Sequence, residues 1–244
     1  MKALKNFIKT KPVIYDLLNS MRPIKDDVEV WLDGFSKRNS RQINFIQVGA
    51  SDGLRWDPLR RFILRDRWKG VLIEPLLPVY EMLKANYSHA TQCKLSFENC
   101  LVSKDSGDGE IWTYSDGFLR SLKIEERLYY LRKSSLDKKA VERSLAGLSN
   151  IEELVVSHKV SSLPLSAIIE KHFSGQNVDL VFIDAEGHDD AVIRTIDFSK
   201  CIPKAIVYES HNLGRRNEEI KSFLGSLGYR VTQLSGDAVA EIDV

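Results

Sequence analysis

"VDLVFIDAEGHDD", residues 178–190, is the stretch on which the fold turns. Val181-Phe182-Ile183 has the unbroken hydrophobicity of a strand covered on both faces, and such strands belong to parallel sheets flanked by helices. The run then breaks into Asp184, Glu186, His188, Asp189 and Asp190, relieved only by Gly187. Acidic groups at the end of a buried strand fit the carboxyl edge of an α/β sheet. There the side chains line a ligand crevice while the strand stays in the core.

The neighbouring segments repeat this pattern. INFIQV (43–48), GVLIE (70–74), Leu95–Val102, GEIWTY (109–114), LVVSHKV (154–160) and KAIVYES (204–210) read as strands. Helical segments are expected over 54–67, 77–87, 166–172, 191–196 and 218–227, and YRVTQL with AVAEI makes a closing hairpin around Ser235-Gly236-Asp237. Strands alternating with helices predict an α/β three-layer domain over 43–244 with a mainly parallel sheet. Residues 1–42 read as a helical N-terminal extension. Leu4, Phe7 and Ile8 precede Pro12, Val13, Leu17 and Leu18 follow it, and a further turn at Val28–Leu32 is expected to end at Gly34. Residues 115–153 interrupt the alternation with Lys, Arg, Glu and Ser around an apolar cluster, Leu128–Leu131. They are expected to rise over the carboxyl edge as a lid or insertion in which Arg120, Tyr129, Tyr130 and Arg132 could hold a sugar face or a phosphate. That cluster, or segment 1–42, could equally make a homo-oligomer contact.

Composition narrows the class. With 244 residues, 43% of them hydrophobic, the chain can bury a full core, and a net charge of +1 creates no demand for nucleic acid or an anionic membrane. No apolar stretch reaches the ~18–20 residues of a transmembrane helix, and Lys5, Lys9 and Lys11 interrupt any signal-peptide core. Cys93, Cys100 and Cys201 are odd in number, show no C-x-x-C pair and lack zinc spacing, which is the usage of reduced thiols in a cytoplasmic compartment.

The first strand runs directly into QVGASDG (47–53), where Gly49 and Gly53 permit a sharp turn and close approach of a ligand to the backbone. The second strand ends 25 positions after Gly49 at Glu74, whose carboxylate can accept both hydroxyls of a ribose. A dinucleotide site needs G-x-G-x-x-G, but here Ser51 takes the middle position and Asp52 follows it. A carboxylate beside the loop repels phosphates and suits a cationic ligand such as S-adenosylmethionine, which carries a sulfonium, an ammonium and no phosphate.

"FIQVGASDG", "WKGVLIEPLLPVYEMLKANY", "ENCLVSKDSGDGEIW", "VDLVFIDAEGHDDAVI" and "AIVYESHN" together resemble the FkbM-type methyltransferases. The resemblance covers roughly residues 43–244. It implies a Rossmann-like sheet with an antiparallel last strand, and S-adenosylmethionine-dependent O-methylation of hydroxyls on sugars, glycolipids or small natural products. By matching motif it puts Gly49, Ala50, Asp52 and Gly53 around the methionine part of the donor and Glu74 on the ribose, with Pro75 in the same cofactor set. Asn99 or its neighbours would lie near the adenine. The sequence departs from the family's pattern at Asp189, shorter than the usual acid, and in the long charged segment 123–153. Residues 1–42 lie outside the resemblance.

Methyl transfer is an in-line displacement, so the protein chiefly aligns donor and acceptor and excludes water. An alcohol is a weak nucleophile that a positioned base activates. Asp184, Glu186 and His188 after one strand, with Glu209 and His211 after the next, are the candidate catalytic groups. His188 and His211 are the best single candidates for the base, because the imidazole side chain as a class changes charge near neutral pH. The plainer alternative for Asp184, Asp189 or Asp190 is a helix cap. The same ligands could hold a divalent ion, although their spacing is not diagnostic. Two other functions remain open at this level: an NAD(P)-dependent oxidoreductase and an inactive methyltransferase fold used for binding.

Overall fold

The computed structural model describes residues 11–242; the expected helical piece at Leu4, Phe7 and Ile8 lies outside them. In chain order the elements are α1 (Pro12–Met21), α2 (Asp27–Arg38), β1 (Asn44–Val48), α3 (Arg60–Asp66), β2 (Lys69–Ile73), α4 (Leu77–Tyr87) and β3 (Lys94–Glu98). There follow β4 (Leu101–Val102), β5 (Gly107–Tyr114), α5 (Asp116–Ser121), α6 (Ile124–Leu131), α7 (Lys138–Arg143), α8 (Ile151–Leu154) and β6 (Val155–Leu163). The chain closes with α9 (Leu165–Phe173), β7 (Leu180–Ile183), α10 (Asp189–Ile193), β8 (Ala205–Glu209), α11 (Arg215–Ser226), β9 (Arg230–Gln233) and β10 (Asp237–Glu241).

Seven of these strands form one sheet in the order β3-β2-β1-β7-β8-β10-β9. β3, β2, β1, β7 and β8 pair in parallel, and β10 lies antiparallel between β8 and β9. Side-chain alternation divides the core into two layers. Ile46, Val48, Val71, Ile73, Val181 and Ile183 pack with Leu165, Ile168 and Phe173 of α9 and with Ile220 and Leu224 of α11. Phe45, Leu72, Leu180, Phe182 and Val207 face Val28, Leu32 and Phe35 of α2, together with Phe62, Leu83 and Tyr87. This is the expected three-layer Rossmann-like fold with its reversed strand near the edge.

Three expectations need correction. Leu95–Val102 is not one strand: β3 ends at Glu98, and β4 leaves for a second sheet, β4-β6-β5. The break is held by Asn99, whose side-chain amide donates to the backbone oxygens of Glu74 and Pro75 at 2.9 Å each. The strand containing LVVSHKV also belongs to that second sheet, pairing antiparallel with β5 from Val155↔Tyr114 to Ser162↔Gly107. Its exposed Ser157, His158 and Lys159 would be out of place in a strand covered on both faces. Gly34 sits inside α2 rather than ending it. Asp26 caps that helix by accepting from the amides of Val28 (3.0 Å) and Glu29 (3.3 Å), and burial of Leu32 and Phe35 outweighs the ~1 kcal/mol helix penalty of a glycine.

Because α2 supplies part of the core, the second half of segment 1–42 is more than a covering. Leu32→Ala should cost about 3 kcal/mol of unfolding free energy, the middle of the range for a buried leucine, read by urea denaturation. A loss below about 1 kcal/mol would mean that α2 is dispensable. α1 is tied down by Arg60, which is fully buried. Its guanidinium donates to both carboxylate oxygens of Asp16 (2.6 and 2.9 Å), to the Gly53 carbonyl (2.6 Å) and to the Asn86 carbonyl (2.7 Å).

Segment 115–153 builds a small core of its own, in which Val141 and Leu145 pack with Tyr114 and Val155. Leu131 packs with Leu76, Val79 and Ile111, which brings the insertion over the start of α4. No described helix is long and apolar enough to cross a membrane.

Candidate active site

The carboxyl ends of β1, β2 and β7 meet at one cleft. After β1 the chain turns so tightly that the amides of Gly49 and Ala50 both donate to the Ile73 carbonyl, at 3.1 and 3.0 Å. Gly49 has φ +76°, and a Cβ there would lie 1.9 Å from the carbonyl oxygen of Asp184. Its absent side chain therefore lets β1 and β7 close on each other at the floor of the cleft. Ser51 takes φ +48° and donates its amide to Glu74 Oε2 at 3.1 Å, while Leu76 donates to Oε1 at 3.0 Å. Glu74 is 7% exposed, and burial lifts its carboxyl to about 7 against the pull of those two amides. Each oxygen keeps a lone pair for a ligand hydroxyl.

Asp184 stands on the opposite wall. Burial, followed by the charges of Glu209 and Glu186, raises its carboxyl to about 7. Its nearest cation is Arg132, at 3.9 Å, whose guanidinium also lies 4.9 Å from the centre of the Trp56 ring. Glu186 is forced to φ +48°, a conformation that non-glycine residues seldom hold without a reason. Its carboxyl is also raised, by burial and then by Glu209. His188 begins α10, and its buried Nδ1 has no hydrogen-bond partner. Burial and the nearby Arg216 lower its pKa, so the ring is neutral at pH 7.

Glu74, Pro75, Asp184, Glu186 and His188 thus share the cleft wall with Gly49. Ala50, Asp52, Gly53 and Asn99 are not brought to it and support it from behind. Ala50 is buried in the core. Asp52 accepts from the amides of Leu54 and Arg55 and pairs with the Arg55 guanidinium at 2.5 Å. Gly53 packs where a Cβ would strike Leu83 and Tyr87, and Asn99 holds the β2 exit. Glu209 and His211 line a second cavity instead. Asp189 is fully buried and accepts from the amides of Ala185 (3.3 Å) and Glu209 (3.0 Å), bracing the ends of β7 and β8 rather than capping a helix. Asp190 pairs with Arg216 at 2.7 Å.

Sequence reasoning missed the apolar half of the cleft, which comes from Val79, Cys100, Val102, Ile111, Leu131 and Leu136. Only the apolar cluster in 128–131 hinted that the insertion would roof it. Burial raises the Cys100 thiol to about 12, which makes it an inert wall. Among the described residues no group of three or more His, Cys, Asp or Glu side chains is arranged to hold a metal ion.

The strand order with its reversed β10, together with the glycine turn and an acid closing β2, defines the class of Rossmann-like S-adenosylmethionine-dependent methyltransferase folds. The family model described as the Methyltransferase FkbM domain matches residues 47–231, and the chain belongs to that family. Among solved structures it is similar to methyltransferase FkbM from Methylobacillus flagellatus KT, at 12% identity and TM-score 0.46, covering 82% of this chain and 44% of that one. It is also similar to cofactor-bound Rv0187 from MTB, at 11% identity and TM-score 0.49, covering 98% and 95%. A third is the O-methyltransferase from Bacillus cereus in complex with SAH, at 9% identity and TM-score 0.45, covering 97% and 90%. The chain therefore spans less than half the length of the Methylobacillus protein. No curated protein matches the sequence significantly.

Proposed function

We propose that the protein is an O-methyltransferase that uses S-adenosylmethionine to methylate a hydroxyl of a sugar-bearing or small natural-product acceptor, in a reducing, cytoplasmic setting. The observation that carries this reading is the composition of one cleft. Glu74, Asp184 and Glu186 face a single guanidinium, Arg132, beneath an apolar roof. Three carboxylates are hostile to a pyrophosphate and suited to a cationic donor, which disfavours a nicotinamide dinucleotide. The unfilled lone pairs of Glu74 are the groups a ligand would satisfy.

When bound, S-adenosylmethionine supplies a methyl group already activated on a sulfonium. Glu74 would take the ribose hydroxyls, and Val79, Cys100 and Ile111 would cover the apolar base. Asp184 would hold negative charge near the donor's cationic part. Glu186 and His188 belong to both the cleft and the adjoining cavity, so they are positioned to receive the acceptor hydroxyl. The neutral His188 ring would accept its proton.

Calorimetry with S-adenosylmethionine, S-adenosylhomocysteine and NAD tests the class. Binding of the first two and not the third is expected; NAD binding would favour an oxidoreductase, and no binding at all an inactive fold. Glu74→Ala should weaken donor binding roughly 100-fold, the value of two hydrogen bonds to a charged acceptor, and unchanged affinity would overturn the ribose assignment. Labelled methyl transfer to a panel of hydroxylated acceptors then tests O-specificity.

A further inference from the structure

The second cavity opens beside the donor cleft and shares Arg132, Ser135, Glu186 and His188 with it. Its charges are sorted by wall. On the sheet side stand Glu186, Glu209, His188 and His211; on the insertion side stand three cations, Arg132, Lys133 and Arg143, and one carboxylate, Asp137. Arg216, also in the lining, is already occupied by Asp190 at 2.7 Å and the Gly187 carbonyl at 2.8 Å.

The insertion-side cations are poorly neutralised. Arg143 reaches Asp137 only at 3.5 Å, and that carboxylate already accepts from the Lys139 amide at 2.9 Å as the cap of α7. Lys133 is half-buried and has no ion pair within 4.0 Å among the described residues; its ammonium lies 5.3 Å from the centre of the Tyr129 ring. The carboxylate that feels its charge is Glu186, on the facing wall, so its ammonium is left without a direct ion pair. Tyr129 itself is 51% exposed, an open aromatic face beside that charge.

We propose that the acceptor is an anionic hydroxy compound, clamped at its phosphate or carboxylate by Lys133 and Arg143 while its hydroxyl is presented to Glu186 and His188. This rests on the methyltransferase reading of the adjoining cleft. An acid-and-imidazole wall suits a hydroxyl that must lose a proton, and a cationic wall across the cavity suits a fixed negative charge. The polar lining, with Ser135 and Ser144 on the insertion side beside the cations, fits a sugar skeleton better than an apolar one.

The test uses the full chain saturated with S-adenosylhomocysteine and titrated with glucose 6-phosphate, glucuronate, inorganic phosphate and glucose. The anionic probes should bind at least tenfold more tightly than glucose, with an affinity that falls as salt rises. Binding by both phosphate and carboxylate probes assigns a general anion clamp, and binding by the phosphate probes alone assigns a phosphorylated acceptor. The double variant Lys133→Ala/Arg143→Ala should lose at least tenfold in anion affinity while its S-adenosylhomocysteine affinity and melting temperature stay unchanged. Equal binding of glucose and the anions, absence of any anion binding, or an unaffected double variant would overturn the proposal. Failure of S-adenosylhomocysteine to bind the unmodified protein would instead overturn the donor reading on which it rests.

Discussion

Gly49→Ala is expected to lower donor affinity roughly 100-fold and to drop the melting temperature by about 10 °C, the equivalent of several kcal/mol in a domain of this size. Two costs combine at this position. The backbone sits at φ +76°, which costs an alanine about 1 kcal/mol. The added Cβ would meet the Asp184 carbonyl oxygen at 1.9 Å, so β1 and β7 must move apart at the floor of the cleft. Gly175→Ala separates the two costs. That residue has φ +72° with open space around its Cβ direction, so only the conformational term applies. If both variants melted alike and both bound donor normally, the close approach of the strands would not be what shapes the cleft.

Asp184→Asn is expected to reduce kcat/KM by roughly 100-fold or more, the scale of losing a charge aimed at the reacting centre. It should also change stability with a definite pH signature. The native carboxyl titrates near 7, whereas an unfolded aspartate titrates near 4. Between those values the native state holds a proton that the unfolded chain releases, so this group's contribution falls as pH rises and is fully lost above pH 7. Asp184→Asn should therefore melt higher than the unmodified protein at pH 8, with the gain shrinking at pH 5 and vanishing toward pH 4. Equal melting differences at pH 8 and pH 4 would show that the native carboxyl is not raised. Because a cation favours the ionised carboxylate, donor binding near pH 6.5 should release protons to the buffer, and the asparagine variant should release fewer.

The main parallel strands and the acids at their ends were legible because each carries a local signal, whereas their order across the sheet was not. Val181–Ile183 is apolar on both faces, Gly49 must turn, and Glu74 interrupts a hydrophobic run where a core residue would otherwise stand. The second sheet was not legible. Leu101–Val102 has the same alternation whether it continues β3 or leaves it, and the choice is made by the Asn99 amide bridging back to Glu74 and Pro75. Nor did the sequence reveal which loop residues face the ligand. Asp52 and Ser51 are neighbours of similar polarity, yet Asp52 turns inward to Arg55 while Ser51 lines the cleft. That decision depends on the φ +48° of Ser51, a property of the folded turn. Likewise Glu186 and Asp189 are equally acidic on paper, and only the spacing between the ends of β7 and β8 leaves one lining the cleft and the other a buried brace.

Arg60 carries a consequence for how the domain is delimited. Asp16 belongs to α1, outside the stretch shared with the family, yet it balances a charge sealed beneath the donor loop. Trimming the chain to its shared core would remove that guanidinium's hydrogen-bonded counterion and leave only the Asp57 carboxylate nearby, which weakens the anchor on the loop whose Gly53 carbonyl it holds. Homologous boundaries and foldable boundaries are therefore different places in this molecule, and the ion pair shows where they part.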